Sequence, residues 1–164
     1  MRVGIGYDIH QLKEGKPLIL GGVRIPHSHG LDGHSDADAL THAVCDALLG
    51  AMGEGDLGRY YPSSDARWRD MNSLDMLKGV CAKLGERGLR LVNLDTVVVA
   101  QAPRLGSYLV EMSKQLAGVL RVDPSLVNVK VKSHDQLGAL GRQEGIAAQA
   151  VCLLGDVPSD EKAM

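Results

Sequence analysis

Apolar positions alternate with small or polar ones from the first residues onward, and Val3 and Ile5 predict a strand over residues 2–9. That run finishes on Asp8 and His10, with only Ile9 between them. Side chains of a strand alternate between its faces, so the carboxylate and the imidazole are expected to project together into one space at the strand's end. Apolar, β-branched runs bounded by Gly, Pro or Asp predict further strands over 17–25, 91–101, 126–133 and 144–154. Between them the period lengthens to that of a helix. Leu40, Val44, Ala47, Leu48 and Ala51 form one buried stripe over 36–52, with Ser35 or Asp36 as the cap and Gly53 as the stop. Leu74, Leu77, Cys81 and Leu84 predict a second helix over 73–87, closed by Gly88, and a third runs from Pro103 to about residue 120.

The order β, β, α, α, β, α, β, β predicts an α+β fold, a mixed four- to five-stranded sheet with helices packed on one face. No repeat, low-complexity tract or linker divides the 164 residues, which read as a single domain, 1–164. Residues 53–70 lack a strong period and hold Gly53, Gly55, Gly58 and Pro62. A loop of that length inside a compact domain is usually functional or mobile, which makes it a candidate lid.

Composition removes several classes of function. A formal net charge of −2, one Trp, four Tyr and no Phe leave little for a nucleic-acid surface to use. No apolar run approaches the ~20 residues that span a bilayer, and the chain enters a strand pattern at once, so neither a membrane anchor nor a signal peptide is expected. Cys45, Cys81 and Cys152 are odd in number and widely spaced, which predicts reduced thiols and a cytoplasmic protein.

The chemistry concentrates in HSHGLDGHSDADALTH, residues 27–42, with four His and three Asp in sixteen positions. His42 falls off the apolar stripe of its helix, with Asp38 and Asp46 one turn away at i−4 and i+4. Alone it reads as a solvent-facing helix residue, and Asp8 with His10 alone reads as a polar strand end. Together they make the donor set of a catalytic zinc site, one carboxylate and two imidazoles with a fourth position open. His34 and Ser35 stand just before the helix, where backbone N–H groups favour an anion such as phosphate; Ser35 also reads as a plain N-cap. Residues 131–145 offer Lys132, Ser133, Asp135 and Arg142 among three glycines, able to hold a phosphate or a second cation and equally lawful as a loop. There is no GxxxxGK[ST], no third glycine for a dinucleotide fingerprint and no GxSxG. The absent nucleophile points to a metal enzyme whose phosphate substrate supplies its own.

RVGIGYDIH, GGVRIP, GHSDADALTHAVCDALLGAMGEGDLG, VVVAQAPRL and GRQEGIA together resemble the 2-C-methyl-D-erythritol 2,4-cyclodiphosphate synthase family over nearly the whole chain. The resemblance implies a homotrimer about a threefold axis with active sites between subunits. It implies Zn2+ on Asp8, His10 and His42, and Mg2+ or Mn2+ near Asp135. His34 and Ser133 would steady the transition state, and His34 and Ser35 would contact phosphates. Asp56, Leu57, Gly58, Ser63 and Asp65 would meet the erythritol-derived part. The run from Ala100 through Arg104 and Leu105 would take the cytidine base of a cytidine-diphosphate-linked substrate, Lys132, Ser133 and Asp135 would contact its phosphates, and Ala139 and Arg142 would also touch the substrate. Arg142 and Glu144 would line the trimer's central channel. The chain departs from the family pattern at KSHD, where TTTE is usual, at Ser63 for Asp, Ala139 for Phe and Arg104 for Lys. The implied activity is cyclisation of 4-diphosphocytidyl-2-C-methyl-D-erythritol 2-phosphate with release of CMP. The alternatives are a metal-dependent phosphohydrolase and a non-catalytic paralogue that binds nucleotide or diphosphate.

Overall fold

The computed structural model describes residues 1–158. Its main sheet has five strands: β1 (Arg2–Glu14), β4 (His29–Asp32), β5 (Leu89–Val99), β6 (Val127–Lys132) and β7 (Gly145–Asp156), in the order β4-β1-β7-β5-β6. β1 pairs antiparallel with β4 and β7, β7 antiparallel with β5, and β5 parallel with β6, so the sheet is mixed as expected. The stretch 17–25 is not one strand. It folds as a separate hairpin of β2 (Leu18–Leu20) and β3 (Val23–Ile25), because Gly21 and Gly22 both take positive φ and turn the chain back. β4 went unpredicted, since four residues between histidines carry no period.

Five helices complete the fold: α1 (Ala39–Met52), α2 (Leu57–Tyr60), α3 (Ser73–Glu86), α4 (Leu109–Leu120) and α5 (Gly138–Gly141). α1 lies across β1 and β7, α3 packs against α1 and α4, and α4 covers β6. The apolar stripe expected on α1 is a minimum, because almost the whole helix is buried. Neither Ser35 nor Asp36 caps it. Asp38 does, accepting the Thr41 N–H at 2.9 Å. Wholly buried, Asp38 also accepts from the Gly21 and Gly22 N–H groups and the Thr41 and Ser73 hydroxyls, so one carboxylate ties the β2–β3 turn to the starts of α1 and α3. Every lone pair in use offsets the cost of burying that charge.

α1 approaches β1 closely because glycine meets alanine. Gly4 and Gly6 face the helix, and a Cβ on Gly6 would stand 1.9 Å from the Ala43 carbonyl oxygen. The other face of β1 carries Val3, Ile5, Tyr7 and Ile9, which are 48–69% exposed. Val151 of β7, paired with Ile5, extends this uncovered apolar strip. Among the described residues no helix is long and apolar enough to cross a membrane.

Candidate metal centre and cleft

β1 does not end at Asp8 and His10. It continues to Glu14, and the pair sits mid-strand on the helix-covered face, in phase with Gly4 and Gly6. The alternation argument therefore holds while the expected strand end does not. α1 brings His42 to the same place, and the ring is 8% exposed, not solvent-facing. Asp8 Oδ2 lies 3.0 Å from His10 Nε2 and 3.0 Å from His42 Nδ1, and the two ring nitrogens are 3.4 Å apart.

The remaining ring nitrogens fix which atoms face inward. His10 Nδ1–H donates to the Asp32 carbonyl at 3.0 Å, a service of the unpredicted β4, and so presents Nε2 to the centre. His42 Nε2 meets Ser35 Oγ at 3.2 Å, which leaves Nδ1 for the centre. Two imidazole nitrogens this close to one carboxylate share positive charge with it, as protons in hydrogen bonds or as a metal ion. An ion about 2.0–2.1 Å from each member of a tetrahedral set would place the donor atoms roughly 3.3 Å apart, and the observed 3.0–3.4 Å fits that spacing. The donor set therefore suits a metal ion.

The electrostatics agree. Burial opposes ionisation of Asp8, but hydrogen bonds and charge from His10 and His42 outweigh it and hold the carboxyl well below the usual carboxylate range. Burial likewise disfavours the charged form of His10, yet the Asp8 contact wins and raises its pKa above the ordinary 6.5. Protons thus compete for the metal donors. Lowering the pH is expected to weaken metal binding, with the decline beginning above 6.5, and equilibrium dialysis across a pH series measures it.

A cleft of about 290 Å³ opens over this centre. Asp8, His10, His34, Ser35, His42, Leu57, Gly58 and Ser63 line it, so these sequence-derived positions do converge. Tyr61, Trp68 and Met76 join them unpredicted; the single Trp in a Gly- and Pro-rich stretch was the available signal. Asp46 also lines it, its carboxyl pushed up by burial and eased down by the Leu57 N–H. Asp56 caps α2, and Asp65 caps the short turn at Ala66–Trp68 while its carbonyl accepts from His34 Nε2 at 3.0 Å.

The other predicted positions lie elsewhere. Ile9, Ala147, Val99 and Lys132 form one row across four strands, so Lys132 stands three strand spacings, roughly 14 Å, from β1. It also points to the face opposite Asp8 and His10, since Ile9 heads its row. Ala100 is joined to Lys132 through backbone, and the Gln136 N–H reaches the Gln101 side chain, so the segments 100–106 and 132–136 form a second cluster. Ser133 and Asp135 are exposed there, with Asp135 at positive φ. Leu105 and Ala100 are buried, and Arg104 is the exposed side chain of the three. Ala139 is exposed as well. Arg142 Nε donates to Glu144 at 2.6 Å in an exposed ion pair before β7.

Another cleft, of about 470 Å³, lies between α3, α4 and the start of β5, and it holds none of this chemistry.

The YgbB family model matches residues 1–155. A protein of Pelotomaculum thermopropionicum named 2-C-methyl-D-erythritol 2,4-cyclodiphosphate synthase is 54% identical over 154 residues, covering 94% of this chain and 95% of its own. One of the same name from Synechocystis is 54% identical over 154 residues, covering 94% of this chain and 96% of its own. Among solved structures, the bifunctional IspDF of Campylobacter jejuni matches with TM-score 0.91 and 39% identity over 95% of this chain and 43% of its own longer one. The Plasmodium falciparum IspF in complex with CDP matches with TM-score 0.85 and 34% identity over 96% of this chain and 97% of its own.

Proposed function

The chain belongs to the YgbB family of 2-C-methyl-D-erythritol 2,4-cyclodiphosphate synthases, and from that premise we propose that it closes 4-diphosphocytidyl-2-C-methyl-D-erythritol 2-phosphate into the 2,4-cyclodiphosphate and expels CMP. The observation that carries the reading is the convergence of Asp8, His10 and His42 at metal-ligand spacing inside a cleft. In the reaction the 2-phosphate attacks the β-phosphorus, the P–O bond to the α-phosphate breaks, and the bond electrons leave with CMP. A phosphate monoester with a second pKa near ~6 is largely dianionic at neutral pH, so no protein base is needed. The substrate phosphate can therefore serve as its own nucleophile.

The chain's own residues bind and orient. Aligning attack and departure in line can contribute several of the ~7–11 kcal/mol available from orientation. Asp8, His10 and His42 are the residues to hold Zn2+, and Asp135 the one to hold Mg2+ or Mn2+; when bound, these ions supply Lewis-acid charge to the diphosphate oxygens. His34, its Nε2 engaged by Asp65, turns its other nitrogen to the phosphates beside Ser35. Asp56, Leu57, Gly58, Ser63 and Asp65 receive the erythritol-derived part. Ala100, Arg104 and Leu105 frame the cytidine, Lys132 and Ser133 complete the phosphate side, and Ala139 also touches the substrate. At KSHD a Lys charge stands where the family usually has Thr, and Ser133 keeps a hydroxyl.

Lys132 lies on the wrong face and too far across the sheet to serve the cleft of its own chain. The same surface offers a remedy, the exposed strip of Val3, Ile5, Tyr7, Ile9 and Val151. A homotrimer that buries this strip about a threefold axis would bring one subunit's second cluster to its neighbour's cleft, with Arg142 and Glu144 near the axis. Ile5→Arg is expected to shift the assembly from trimer to monomer in analytical ultracentrifugation, and activity falls with it because each site loses half its residues.

Phosphorus NMR on purified, metal-replete protein tests the reaction. The cyclic diphosphate and CMP are expected; CMP together with an acyclic erythritol bisphosphate and no ring diphosphate would mean hydrolysis and overturn the reading.

A further inference from the structure

The segment between α1 and α3 looks like a lid in sequence, yet it is fastened on both sides. Asp46, one turn beyond His42 on α1, accepts the Leu57 N–H at 2.7 Å. Tyr61 rests on α3 at Gly79, so closely that a Cβ there would lie 2.3 Å from the Tyr61 hydroxyl. Its ring also meets Trp68 edge-on, with centroids 5.1 Å apart. On the outer side the Tyr60 O–H donates to Glu54 at 2.5 Å, Lys83 sits 4.3 Å from the Tyr60 ring centroid, and Glu54 pairs with Arg87. Leu57, Gly58 and Tyr61 are cleft-lining residues, as are Asp46 and His42.

We propose that Asp46 and Gly79 are positioning residues that hold residues 57–61 as a fixed wall of the cleft, at a distance from the Asp8–His10–His42 centre set by α1 and α3. Asp46 and His42 occupy i and i+4 of one helix, so a single rigid element carries both the anchor of the wall and one member of the centre. Ordering the wall during folding removes that entropic cost from substrate binding. Gly79 belongs to the arrangement because any larger residue would push the Tyr61 hydroxyl off its seat on α3. The inference deepens the cyclisation reading and rests on it only for its kinetic readout.

Asp46→Asn keeps an oxygen for the Leu57 N–H, Asp46→Ala removes it, and Gly79→Ala displaces Tyr61. Hydrogen exchange at the Leu57 amide, bound metal per chain, KM and kcat are measured for all three. Asp46→Ala is expected to lose Leu57 protection and raise KM roughly tenfold or more, the effect of losing a hydrogen bond to a charged acceptor. Its kcat changes less and its metal content not at all. Asp46→Asn restores protection and KM to within a few-fold, and Gly79→Ala raises KM with Leu57 still protected. Retained protection in Asp46→Ala, an Asp46→Asn variant as impaired as Asp46→Ala, or loss of metal in either would overturn the proposal. A wild-type protein that releases no CMP would overturn the cyclisation reading instead, while exchange and metal content would still decide the wall.

Discussion

Replacing His42 with Ala is expected to empty the metal centre and reduce turnover on the order of 10³-fold, with the fold retained. His42 supplies one of three donors at 3.0–3.4 Å spacing, and the two that remain, both on β1, form only an edge. Losing the Lewis-acid charge forfeits several kcal/mol of transition-state stabilisation, at 1.36 kcal/mol per tenfold in rate. Stability suffers far less, because the side chain's other partner is a Ser35 hydroxyl that water can satisfy. Metal analysis with a CMP-release assay measures both effects. Full metal content in the variant would remove His42 from the centre.

The second large effect falls on the fold. Gly6→Val is expected to destabilise the protein by about 3 kcal/mol or more, at the upper end of overpacking costs. The first added atom would meet the Ala43 carbonyl oxygen, a backbone group that no rotamer change can move aside. α1 must lift from β1, and His42 leaves Asp8 as it does so. For a chain of 164 residues the loss corresponds to roughly 6–12 °C in Tm, read by calorimetry. Metal affinity falls in parallel, whereas His42→Ala loses the metal at nearly unchanged Tm.

The long strands β1, β5 and β7, the three long helices and the residues of the Asp8–His10–His42 cluster were legible because each rests on a local period or a donor type. Asp8 and His10 declare their shared face by spacing alone. His42 did not declare its burial, since the stripe that seemed to exclude it belongs to a helix covered nearly all round, by strands on one side and α3 on another. Asp38 showed in sequence only as a neighbour of His42 one turn away; its five hydrogen bonds come from one turn and two helix starts that no local pattern links. β4 was illegible for a related reason, being fixed by pairing with β1 and not by its own four residues. Residues 100–106 were found through family likeness and 132–135 already through their residue types, and only the sheet order reveals their distance from the cleft.

β1 carries two messages in one strand. Even positions from Gly4 to His10 serve the helix and the candidate metal centre, and odd positions from Val3 to Ile9 form the uncovered apolar strip. A single inserted or deleted residue between them would exchange the two sets, turning imidazole outward and isoleucine onto the α1 backbone. Length variation is therefore closed to this strand during divergence, while a change at the exposed turn of Gly15 just beyond it shifts neither set, although its positive φ still favours glycine there.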